Sequence, residues 1–148
     1  VVSSIIGVLV VYKAWSIGKP YLAAALLLEI LASAAFHAAE NGWIHVFPGL
    51  RIDRTGLGQP HSALQDKHQW LLALDQIGLV LCVYLLYREC WAGIRRLGRQ
   101  WPAIAVAVAG AISFLVSVFT GGQLYTDTHT VWHIACIGLV WAVLRECK

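Results

Sequence analysis

The stretch Pro20–Glu40, PYLAAALLLEILASAAFHAAE, decides the fold. A helix needs about 20 apolar residues to cross the hydrocarbon of a bilayer. This run supplies that length, and before its closing glutamate only Glu29, Ser33 and His37 break its apolar character. Pro20 suits a first helical turn, where the missing N–H costs little. Ionisable groups at membrane depth are expensive, so they usually face a bundle interior and carry function. The stretch therefore predicts both a membrane span and a reason to look closely at its polar residues.

The whole chain agrees with that reading. Of its 148 residues, 59% are hydrophobic and 13% charged, with a mean hydropathy of +0.67, whereas soluble domains carry about 25% charged residues. This length ordinarily supports one domain. The expected fold is all-α, a polytopic transmembrane bundle of about five helices forming a single domain over 1–148. Besides Pro20–Glu40, the expected helices are Val1–Ile17, His68–Cys90, Trp101–Thr120 and Thr128–Glu146. Val1–Ile17 lacks the basic region and A-x-A-like site of a signal peptide, so it reads as a first helix. Gly121-Gly122 should stop the fourth helix, and Asp127 or Thr128 could cap the fifth. The remaining segment, Asn41–Lys67, holds Pro48, Gly49, Gly56, Gly58 and Pro60 with Arg51, Asp53 and Arg54, and cannot cross lipid. It is expected to be a long connection, either a lid or docking surface or a solvated linker. No internal repeat or low-complexity tract is present.

The net charge of +3 is small, and the basic residues fall in loops or at helix ends, which argues against nucleic acid and for anchoring at a membrane surface. Lys13, Lys19, Arg88, Arg95, Arg96, Arg99, Arg145 and Lys148 lie on one side of the expected bundle, and only Arg51, Arg54 and Lys67 on the other. The positive-inside rule then places the C-terminus on the cytoplasmic-equivalent side and Asn41–Lys67 opposite. Alanines clustered at 32–39, and alanines with Gly110 at 103–111, mark seams where membrane helices approach closely. The four cysteines make no C-x-x-C pair. Cys82 and Cys136 read as small buried hydrophobes in helix interiors, and Cys90 and Cys147 fall near helix ends on one side.

Five polar residues lie inside membrane-length stretches at suggestive spacings: Ser33-x-x-x-His37, a lone Asp75, and His129-x-x-x-His133. Three imidazoles and one carboxylate form a donor set for a zinc ion with a reactive water. At about 1.5 Å of rise per residue, His37 lies roughly 5 Å from the end of its helix and Asp75 roughly 10 Å into the next. His129 and His133 occupy the first two expected turns of the last helix. All four start from the membrane face opposite the Arg-rich loop. Side chains lean toward their helix N-terminus, so His37 points inward while Asp75 and His133 point outward, which narrows the mismatch in depth. The i, i+4 pairs each share a face. Glu29, two turns below His37, could support an imidazole N–H or act as a neutral carboxyl holding helices together. His45 and His61 read as solvated, and His68 as a substitute ligand.

Together these residues resemble the CREST superfamily, which includes alkaline ceramidases, progestin and adipoQ receptors, and myomaker with its relatives. Ala32-Ser33-Ala34-Ala35-Phe36-His37 is similar to the family's second-helix motif, with Glu29 at an acidic position often found one turn before the serine. Leu74-Asp75-Gln76-Ile77-Gly78-Leu79 is similar to a Leu-Asp-x-x-Gly stretch of the receptor branch, and Tyr125 to His133 resembles the last-helix motif of the myomaker branch. The family has seven helices; the alignment lacks a helix pair between Cys90 and Trp101. The resemblance implies that His37, His129 and His133 ligate zinc, that Asp75 holds or deprotonates the attacking water, and that Ser33 donates to the oxyanion of a tetrahedral intermediate. The implied reaction is hydrolysis of an amide or ester in a membrane lipid that enters from the bilayer. Two other readings stand beside it. One is a non-catalytic membrane subunit of a larger assembly, with other membrane subunits as partners and a structural or vestigial metal site. The other is a haem clamped by two imidazoles such as His37 and His133.

Overall fold

The computed structural model describes residues 2–40, 62–119 and 122–147. The protein is all-helical over these residues: α1 (Val2–Ser16), α2 (Pro20–Glu40), α3 (Ser62–Leu97), α4 (Trp101–Phe119) and α5 (Gly122–Glu146). Three segments are long and apolar enough to cross a membrane: Pro20–Ala38, Ala73–Leu97 and Asp127–Glu146. Ile6–Ser16 and Trp101–Ser117 are apolar but shorter.

Short, well-made turns set the helix order. α1 ends at Gly18, whose φ of 73° is the left-handed conformation that costs a glycine little. The Lys19 N–H donates to the Ala14 carbonyl at 3.0 Å and the Gly18 N–H to Trp15 at 3.0 Å, the paired bonds of a Schellman cap. Pro20 then opens α2, as expected from its missing N–H. α3 turns into α4 through Gly98–Gln100, with the Gly98 N–H donating to the Ile94 carbonyl at 2.8 Å and Gln100 to Leu97 at 2.9 Å. This turn holds no additional helix pair.

Three expected boundaries need correction. α3 starts at Ser62, so 62–67 is helical and not part of the connection; residues 41–61 lie outside the described residues. α3 also continues past Cys90 to Leu97. Its ends are polar, and a helix need not stop where lipid does. α5 starts at Gly122, so Asp127 is not a cap, and neither is Thr128. Its hydroxyl donates back to the Leu124 carbonyl at 2.7 Å, the i−4 bond that threonine makes inside a helix. His129 and His133 therefore sit in the second and later turns of α5, not its first two.

α1 packs on α2, α2 on α3, α3 on α5, and α5 back on α1; α4 lies against α5. The four helices α1, α2, α3 and α5 form a closed ring in which α2 and α5 stand diagonally. The apolar core occupies one end of that ring, with Val10 and Ala14, Leu22 and Leu26, Cys82 and Cys90, and Val143 and Leu144 all buried. At the same end Cys90 and Cys147 form a disulfide, with Cα atoms 5.2 Å apart. Gly93 allows the close approach there, since a Cβ on it would stand 2.7 Å from the Val143 carbonyl oxygen. Cys82 and Cys136 are free thiols, Cys82 buried and Cys136 partly so.

Candidate metal centre

The other end of the ring holds the histidines. His37 lies one turn before the end of α2, and α5 presents His129 and His133 on one face, as their i, i+4 spacing requires. Because α2 and α5 are diagonal partners, the three rings meet in the bundle interior. Ring centroids are 5.0 Å apart for His37 and His129, 5.3 Å for His37 and His133, and 4.7 Å for His129 and His133. One nitrogen from each ring lies within 4.8 Å of the other two. All three are half-buried. The three residues that sequence spacing singled out as ligands therefore converge.

The donor geometry fits one metal ion. His37 Nε2 and His133 Nε2 are 3.2 Å apart. Two nitrogens bound tetrahedrally at about 2.0–2.1 Å from zinc are separated by about 3.3 Å, so this pair needs almost no movement to share an ion. Among the described residues, the groups close enough to share that ion are these three histidines and no fourth. Three protein ligands with one position left for water or substrate is the arrangement of catalytic zinc sites, whereas structural sites close the fourth position with protein. Imidazole also suits copper, iron and nickel, so the donor set defines a metal-binding site without choosing the element.

Asp75 and Ser33 stand beside this centre. The Ser33 hydroxyl hydrogen-bonds the Asp75 carboxylate, and Asp75 is close enough to His37 for their charges to interact. Ser33 is only 7% exposed. A serine has one proton to donate, and here it goes to Asp75, so its first duty is to hold the carboxylate. The other Asp75 oxygen, Oδ1, is buried with no hydrogen-bond partner among the described residues, as is Glu29 Oε2. Glu29 lies between α2 and α3 against Gly78, where a Cβ would collide with its carboxylate. That places Glu29 at the seam between α2 and α3, close enough to Asp75 for their charges to interact. The side chain of His68, with His45 and His61, lies outside the described residues.

Sequence reasoning passed over Ser117. It is 1% exposed, and its Oγ contacts His129 Nδ1 at 3.3 Å while donating to the Phe114 carbonyl at 2.7 Å. Tyr125 stacks on the His129 ring at a centroid distance of 5.1 Å, and Trp132 packs on Phe114 of α4 at 5.0 Å. α4 thus closes the outer side of the centre. A depth count would have found Ser117: it stands three residues before the expected end of its helix, as His37 does in Pro20–Glu40.

The chain matches no protein-family model, no curated protein and no solved structure.

Proposed function

We propose that this protein is a zinc-dependent intramembrane hydrolase of a lipid amide or ester, built on the plan that its motifs share with the CREST superfamily. One observation carries the reading. Three histidines from diagonal helices converge with no fourth protein donor among the described residues, and a serine-held carboxylate stands beside them. A zinc ion in such a site acts as a Lewis acid and makes water a usable nucleophile near neutral pH.

The chain's own residues supply the rest. His37, His129 and His133 would hold the ion as neutral imidazoles. Asp75, fixed by Ser33, would accept the proton that the attacking water gives up and return it to the amine or alcohol that leaves as the acyl C–N or C–O bond breaks; Oδ1, without a partner among the described residues, is the atom available to do so. Ser33 turns toward an oxyanion only if its hydrogen bond to Asp75 is released. The substrate is a membrane lipid because the site sits at the level of three membrane-length segments.

Asp75→Asn tests this reading. It preserves the shape and the three imidazoles, so metal content should stay at the parent level while hydrolysis of lipid amides and esters falls about 10²–10⁴-fold, the usual loss for a general base. An Asp75→Asn variant with parent activity would overturn the assignment of the base.

One feature favours the second reading, a non-catalytic subunit. α4 packs on α5 outside the ring, and Ile104, Val108, Ile112, Leu115 and Phe119 remain exposed along it. That flank would suit a partner helix as well as lipid. A metal-loaded parent inactive on all lipid amides and esters tried would favour this reading. The haem alternative fits poorly: two axial imidazoles must stand on opposite faces of a macrocycle, but the His129 ring lies against both His37 and His133.

A further inference from the structure

We infer that Ser117 of α4 is a positioning residue that fixes which nitrogen of His129 faces the metal centre; the inference rests on the metal-site reading above. The Ser117 hydroxyl has one proton, and donates it to the Phe114 carbonyl at 2.7 Å, an oxygen that can only accept. Its remaining contact is His129 Nδ1 at 3.3 Å. With its proton committed, Ser117 Oγ meets that nitrogen as an acceptor, so His129 Nδ1 carries the hydrogen.

A neutral imidazole carries one N–H, so His129 Nε2 carries no hydrogen and keeps its lone pair. A bare nitrogen is what a metal needs, and the tautomer of a metal-binding histidine is set by the hydrogen bond its other nitrogen makes. The same bond fixes the ring's orientation. Ser117 can act this way because it is buried, at 1% exposure, where water does not compete for Nδ1. Its own bond to Phe114, one turn back on α4, locks its rotamer. α4 lies outside the four-helix ring, yet through this contact it determines the readiness of the site inside. The same logic gives α4 a function that its shorter apolar length does not suggest.

The test uses the full chain in nanodiscs with Ser117→Ala and Ser117→Thr. Imidazole ¹⁵N NMR of the metal-free parent should show His129 as the Nδ1–H tautomer, and Ser117→Ala should lose that preference. Titration with Co²⁺ alone should show affinity lowered about 10–100-fold in Ser117→Ala, the usual loss for a partner of a ligating histidine. Ser117→Thr, which keeps the hydroxyl, should restore both readouts. A parent His129 with its proton on Nε2 would overturn the inference, as would a Ser117→Ala variant with parent tautomer and Co²⁺ affinity. Failure of the parent to bind Co²⁺ while His129 still shows the Ser117-dependent tautomer would instead count against the metal-site reading. Circular dichroism and gel filtration of each variant would identify a misfolded Ser117→Ala, and the Ser117→Thr pair and the parent tautomer then still decide.

Discussion

Replacing Cys90 and Cys147 together by alanine should leave the histidine end intact and weaken the opposite end. The disulfide closes a loop with a sequence separation of 57. The chain-entropy relation gives about 4 kcal/mol for a loop of that size, near the top of the usual range of about 2–4 kcal/mol. Helices that persist in the unfolded state of a membrane protein leave less freedom to remove, so the loss should fall within that range. For a chain of this length, each kcal/mol moves the midpoint by about 2–4 °C. The variant in nanodiscs should therefore unfold about 5–15 °C below the parent by thermal scan, with Co²⁺ affinity unchanged. Thiol titration of the denatured parent should count two free groups, Cys82 and Cys136, and four after reduction. Four free thiols in a parent purified without reductant, or equal midpoints for parent and variant, would refute the role of the bridge.

Two further predictions concern packing and topology. Gly93→Ala should destabilise more than Gly78→Ala, by about 1–3 kcal/mol for the former, because a Cβ at Gly93 meets the Val143 backbone carbonyl while one at Gly78 meets the movable end of the Glu29 side chain; equal midpoints in SDS titration would contradict the α3–α5 contact. The basic-residue asymmetry predicts that the Arg96 end faces the cytoplasmic-equivalent side, whereas a disulfide at that end suits an oxidising compartment. An impermeant maleimide should reach Arg96→Cys from the cytoplasmic side and Gly56→Cys from the other; the reverse pattern would mean that the bridge, not the charge bias, reports the orientation.

The five helices were legible because apolar length and first-turn prolines speak directly to helix formation in a bilayer, and Pro20–Glu40 keeps its expected ends. α3 was misjudged at both ends for the same reason. Its expected ends followed apolar length alone, whereas the helix also runs through the polar Ser62–Lys67 and takes in Trp91–Leu97, where Arg95 and Arg96 interrupt the apolar run. Thr128 looked like a cap because hydroxyls favour helix starts, but its hydroxyl is satisfied equally by a carbonyl one turn back. The three histidines could be found because i, i+4 spacing and depth are local quantities that a sequence carries. The Cys90–Cys147 pairing and the Ser117 contact could not be found by spacing alone, since each depends on which helices are neighbours in the ring. The Ser33–Asp75 bond was half legible: both residues were singled out, but not that the hydroxyl serves the carboxylate.

The central claim is that His37, His129 and His133 bind one metal ion inside the bundle. Elemental analysis of the protein purified without chelator, paired with His133→Ala, tests it most directly. The parent should hold about one zinc per chain, and His133→Ala should lose it, because two imidazoles do not complete the three-ligand set. A parent that binds no divalent metal, or a His133→Ala variant that holds as much zinc as the parent, would contradict it.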